Sequence, residues 1–203
     1  MLDDFLSTDN TLFSNYNLQT QGEVRKVAEM KNDRQRRATE GLLFGAYAPE
    51  IRYAALSLDQ KGLTSYGNCC LTLADITMEK SATVLEENSF DFVRKHQILP
   101  GDDIPLGFRA TWKQRYFLAI AKLAAKLTVK KQAISNLLLS SDGQRGNDQF
   151  MEVHIYGSFD KQAIESLALP KLKSVKKNKA DSINMKRIRD YAQNMRLSCI
   201  EYD

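Results

Sequence analysis

Three cysteines and two histidines in 203 residues are too few, and too scattered, to build a disulfide framework or a zinc site. Cys69 and Cys70 are adjacent and Cys199 leaves the count odd, a pattern that suits a reducing compartment. His96 and His154 lie far apart with no Cys-x-x-Cys spacing, so no metal is expected. Neither Gly-x-x-x-x-Gly-Lys-Ser/Thr nor Gly-x-Gly-x-x-Gly occurs, which disfavours P-loop, Rossmann and kinase chemistry. No nucleophile elbow is present, so the hydrolase signal is weak. No apolar run approaches the roughly 20 residues of a membrane span. The opening residues include Asp3 and Asp4 where a secretory leader is basic and then apolar. These absences lead to the expectation of a cytoplasmic protein, or one delivered into another cell without a cleaved signal.

What is present is an ordinary globular composition, 43% hydrophobic against 27% charged, and no stretch resembles an interdomain linker. One core is expected. The net charge of +4 is unevenly spread, with basic residues gathered at 34–37 and along 171–196. Such clusters suit phosphate contacts, and equally suit a solvated helix face with a basic tail.

Residues 1–20 read as a loose lead-in that docks through Phe5, Leu12, Phe13 and Tyr16. The stretch 21–43 spaces Val24, Val27 and Ala28 at helical intervals and is broken by Gly45 and Pro49. Strands are expected at 51–58, 68–73 and 83–85, with polar loops at 64–67, 86–89 and 101–107. The clearest helix is 112–127, where Tyr116, Ile120, Leu123 and Leu127 form one stripe. A shorter helix at 133–139 precedes a polar turn, 140–148, and two further strands at 150–157 and 164–169; a basic helix is expected at 182–197. Strands in separate blocks favour a single α+β domain over 21–170 with a basic helical tail at 171–203.

The sequence Phe-Met-Glu-Val-His-Ile-Tyr-Gly at 150–157 alternates most strongly. Met151, Val153 and Ile155 share one face of a strand while Glu152, His154 and Tyr156 share the other. A mid-strand carboxylate is costly unless its face opens to solvent or to a cleft. Both readings fit the pattern.

The segments GLLFGAYAPEIRYAALSL, SYGNCCLTL and MEVHIYGSFDKQAIESLALP together resemble a bacterial family carrying a Tyr-Gly-Ala-Leu strand, a Gly-Ser-Cys strand and a Glu-Val-x-Ile-x-Gly strand. The resemblance spans about residues 36–170, and its last part is similar to the final strand of ADP-ribosyltransferases. It implies a mixed or antiparallel split sheet flanked by helices, with NAD as substrate and no metal. It also implies a monomeric toxin or effector modifying a protein or nucleic acid.

By position, the resemblance implies that Glu152 acts in catalysis, stabilising the oxocarbenium-like ribose as glycosidase carboxylates do. Arg52 and Tyr53, then Ser65, Tyr66, Gly67 and Asn68, with His154, would hold the dinucleotide. Ala54 stands where the family carries glycine, and Phe150 where arginine-directed transferases carry an acidic or amide residue, which argues against arginine modification. Arg52 is equally suited to pairing with Glu50 or Asp59; Tyr53 and Tyr66 suit a core as well as a nicotinamide stack, and His154 suits a satisfied buried position. Cys69 and Cys70 are assigned no catalysis. A non-catalytic binder is the alternative, with Lys171, Lys173, Lys176, Lys177, Lys179, Lys186, Arg187 and Arg189 on phosphates.

Overall fold

The computed structural model describes residues 2–8, 12, 13, 15, 19, 20, 22, 31–127, 133–171 and 179–202. Tyr16, the first part of the helix expected from residue 21, and Lys173, Lys176 and Lys177 lie outside these residues.

The fold is α+β with two sheets. The alternating strand β5 (Glu152–Tyr156) is buried at four of its five positions, which only an interior strand can achieve. It is flanked by β1 (Ile51–Ala55) on one side and β3 (Ala82–Leu85) on the other, both antiparallel, and β4 (Arg109–Thr111) closes the edge beyond β3. The register sets Tyr53 and Thr83 on either side of His154, and Ala55 and Leu85 on either side of Glu152. The second sheet has the order β2 (Cys70–Leu73), β6 (Ile164–Pro170), β7 (Ser198–Tyr202), with β7 parallel to β6.

Between the sheets lies the larger core. Val84, Val153 and Ile155 from the first sheet meet Leu167 and Leu169 from the second. Helix α1 (Leu2–Ser7) adds Phe5 and Leu6, so the N-terminal residues begin as a docked helix. Phe13 stacks on Phe159 at 5.0 Å, while Leu12 is exposed.

A smaller core covers the opposite face of the first sheet. Helix α2 (Lys31–Phe44) contributes Leu43 and Phe44 and ends at Gly45, whose φ of +54° suits a residue without a side chain. The short α3 (Asp75–Met78) follows β2. Helix α4 (Ser89–His96) adds Phe92 to Ile51, Leu85 and Ile98. The face of β5 that carries Glu152 and His154 is therefore roofed by α2 and α4.

Several expected boundaries differ. The first strand stops at Ala55 and the second begins at Cys70. Ser89 opens α4 where only loop was expected, because the Asn88 side chain caps the helix by accepting from the Phe90 amide at 3.0 Å. The expected helix at 112–127 contains a 3-10 turn at Trp112–Gln114 followed by α5 (Arg115–Ala124). Of its expected stripe Leu123 alone is buried. Tyr116, Ile120 and Leu127 are exposed, while Arg115, Leu118 and Leu123 are buried. Arg115 turns inward to meet Asp75 at 2.7 Å and lies 4.2 Å over the Trp112 ring, which sets the rotation of the helix.

Helix α6 (Ile134–Leu138) precedes the polar turn. Rather than standing apart as a tail, α7 (Lys179–Asn194) inserts Met185, Ile188 and Ala192 into the main core, and β7 extends the second sheet. The spacing i, i+3, i+7 gives α7 its apolar face. Among the described residues, no helix is long and apolar enough to cross a membrane.

Candidate functional site

Glu152 and His154 project from β5 toward the N-terminus of α4. Asn88 occupies the cap, so Ser89 is the first helical residue and its amide has no partner within the helix. That amide donates to Oε2 of Glu152 at 2.5 Å. The Ser89 hydroxyl is hydrogen-bonded to Nε2 of His154 at 2.9 Å, and the same ring nitrogen lies 3.6 Å from Oε2 of Glu152. A carboxylate at a helix N-terminus is favoured both by the free amide and by the helix dipole. The Glu152 side chain keeps only 8% exposure and that of His154 none, so the acid is held in place and nearly enclosed.

Tyr53 shares this face. Its ring meets His154 edge-on at 5.7 Å and Phe44 at 6.3 Å, and the Arg36 guanidinium lies 5.3 Å over it. Arg36 is itself paired with the nearly buried Glu40, at 2.7 Å. Burial, followed by the negative charges of Glu40 and Glu152, pushes the Tyr53 phenol far above its ordinary pKa. It is a permanent neutral hydroxyl at physiological pH.

Ser65 and Tyr66 sit on a 3-10 turn ahead of β2. The polar turn at 140–148 clasps it: Ser65 donates to Asp148, Thr64 and Ser141 meet at 3.2 Å, and Arg145 both donates to the Ser65 carbonyl and lies 4.6 Å over the Tyr66 ring. The Tyr66 phenol is raised by burial and then by the Glu152 charge. The turn thus stands within electrostatic reach of the carboxylate. Gly67 follows in an extended conformation open to solvent, and the Asn68 carbonyl accepts from the Tyr202 hydroxyl at 2.5 Å.

Arg52 is not part of this arrangement. Alternation along β1 sends it to the opposite face, where Nη1 donates to the Glu50 carbonyl at 2.7 Å and Nε to the Phe13 carbonyl at 3.4 Å. It pins the N-terminal segment to the sheet. Arg189 is likewise engaged, with Glu201 at 2.9 Å and the Pro170 carbonyl, so one of the cations considered for phosphate contact is held within the fold.

Ser89, Glu40, Arg36 and Phe44 were missed from the sequence. The Asn-Ser pair at 88–89 was a readable cap signal; Glu40 was hidden in a run of charged residues.

Beside the site a groove of about 1070 Å³ runs between α4 and α5, with Glu87, Asn88, Lys95, Lys122 and Asp148 on its walls. Asn88 precedes Ser89, which bonds the acid, and Asp148 accepts from Ser65 on the turn before β2. Lys122 donates to the carbonyls of Glu86 and Phe150, and burial pulls its ammonium down to a pKa of about 8.

Glu86, Glu87 and His96 bring ligand-type atoms within 4.8 Å of one another. Lys95 already bonds the two carboxylates at 3.2 and 2.8 Å, which supplies the positive charge an ion would bring. Burial pushes the Cys70 thiol up to about 11 and raises Cys69 as well, so both stay protonated and unreactive. Comparisons with protein-family models, curated proteins and solved structures gave no match for this chain.

Proposed function

We propose that the chain is an ADP-ribosyltransferase-like enzyme that uses NAD to modify a protein or nucleic acid, with Glu152 as the catalytic carboxylate. One observation carries the reading. Two segments singled out by the family resemblance, β1 with Tyr53 and β5 with Glu152, are paired strands around one oriented carboxylate, and the charge of Glu152 also reaches Tyr66 on the turn before β2. Two neutral phenols beside a fixed acid suit a nicotinamide ribose, with rings to pack against the base and the carboxylate to accept from a ribose hydroxyl.

In the proposed reaction the bond between ribose C1′ and the nicotinamide nitrogen breaks, and its electron pair leaves with nicotinamide. Positive charge grows on the ribose, and Glu152 stabilises it. The acceptor then adds to C1′ and loses its proton. Ser89 is a positioning residue, since it touches Glu152 and His154 rather than the substrate.

The test is release of nicotinamide from labelled NAD, with transfer of label to protein or nucleic acid in a cell lysate. The expected result is release by the natural protein and a loss on the order of 100- to 1000-fold for Glu152→Gln. Equal turnover by Glu152→Gln, or no consumption of NAD by the folded protein, overturns the reading.

A further inference from the structure

Buried donors without partners are rare in folded proteins, and each calls for a reason. Among the described residues, four such atoms lie together under Phe44: Nε and Nη2 of Arg109, Oγ1 of Thr83 and Nδ1 of His154. The sheet register makes them neighbours. His154 is directly opposite Thr83, which is opposite Thr111, two residues along the same face from Arg109. The Phe44 ring caps both ends, 4.7 Å from the His154 ring and 5.4 Å from the Arg109 guanidinium carbon.

Their chemistry is one-sided. The Nε and Nη2 edge of arginine is a planar fork matched to two oxygens of a carboxylate or phosphate. Threonine supplies a hydroxyl. When Ser89 donates to Nε2 of His154, the proton of the neutral ring is on Nδ1, which becomes a fourth donor. Among the described residues the Arg109 guanidinium has no carboxylate partner, and burial lowers its pKa.

We propose that Arg109, with Thr83 and His154, binds a phosphate oxyanion that enters when Phe44 swings aside. Phe44 is the last residue of α2, and Gly45 after it takes a left-handed φ of +54° where the chain changes direction. The site adjoins the acid through His154, whose Nε2 lies 3.6 Å from Oε2 of Glu152. In the register Leu85 of the intervening strand β3 stands between Glu152 and Arg109, which keeps the fork itself off the carboxylate. A dinucleotide would supply such an anion through its diphosphate; a free phosphate would supply it equally.

The experiment is calorimetric titration of the full chain with inorganic pyrophosphate and with ADP-ribose, for the natural protein, Arg109→Gln, Arg109→Lys and Thr83→Val. Both ligands are expected to bind the natural protein. Arg109→Gln is expected to weaken both at least tenfold, and Arg109→Lys to weaken them as well because an ammonium has no fork. Thr83→Val is expected to weaken them severalfold. Circular dichroism confirms that each variant is folded. Tighter binding of ADP-ribose identifies a nucleotide and equal binding identifies bare phosphate; either upholds the site. Unchanged affinity in folded Arg109→Gln, or no binding of either ligand by the natural protein, overturns it. Binding that depends on Arg109 in a protein that releases no nicotinamide upholds this site and overturns the transferase reading; release without dependence on Arg109 does the reverse.

Discussion

The amide of Ser89 reaches Oε2 of Glu152 across 63 residues of sequence and ties the first turn of α4 to the middle of β5. The same residue bonds His154 through its hydroxyl. One serine therefore holds two neighbouring side chains of the sheet by two different groups, and substitution separates them.

Ser89→Ala keeps the amide and removes the hydroxyl, leaving Nε2 of His154 buried without its partner. The expected cost is about 1–3 kcal/mol in denaturant unfolding, with nicotinamide release reduced by less than about tenfold. Ser89→Pro removes the amide as well. Proline is well tolerated as the first helical residue, and Asn88 before it already has an extended conformation, so α4 itself persists. The additional loss in Ser89→Pro over Ser89→Ala reads out the Glu152 contact alone; equal stability and activity of the two variants would show that the contact does nothing.

A pH dependence of stability follows from Lys122. Its folded pKa of about 8 lies below the ordinary 10.5, so between these values the unfolded chain binds more protons than the folded one. This contribution is lost as pH falls through 8 and grows as pH rises. Cys70 acts in the opposite sense: its thiol is raised from 9.0 to about 11, so its contribution is present below pH 9 and lost as pH climbs toward 11. The raised Tyr53 and Tyr66 add to that loss above pH 10. Denaturation midpoints are thus expected to rise from pH 8 to 9 and fall above about pH 10. Lys122→Met should abolish the rise and retain the fall.

How far the fold can be read from sequence depends on which interactions decide each element. The strand at Glu152–Tyr156 was legible because its apolar residues alternate, and that pattern needs no partner to be seen. The eight-residue α4 was not, since it is too short for periodicity and rests on the Asn88 cap and on Phe92 beneath it. Burial of Glu152 was missed for a related reason. Alternation shows that two faces differ, but only α2 and α4 in place show that the polar face is roofed. Arg52 departs from the sequence expectation, because the register and the hand of alternation put Arg109, which no motif singled out, on the face of the acid instead.

Helix α5 offers a direct check on facing. Ile120 belongs to the apolar stripe of the sequence but is 64% exposed, while Leu118 is 6% exposed. Ile120→Lys is expected to change stability by no more than about 0.5 kcal/mol. Leu118→Ala, which removes packing without adding charge, should cost about 2–5 kcal/mol. Chemical denaturation of the two variants decides between the faces, and a large loss in Ile120→Lys would place the helix the other way round.

Arg109 sets binding against stability. Its two sealed nitrogens lack partners, and each unsatisfied buried donor costs on the order of 1–3 kcal/mol. The contact with Phe44 returns about 0.5–2 kcal/mol at such range. The balance is unfavourable, so a residue of similar length without charge should fit better. Arg109→Met is expected to raise the unfolding free energy by about 1 kcal/mol and to abolish pyrophosphate binding. An arginine kept only for structure would behave oppositely, its removal lowering stability and leaving affinity untouched. Thermal unfolding with and without pyrophosphate reads both at once: the ligand should raise the Tm of the natural protein and leave that of Arg109→Met where it stands.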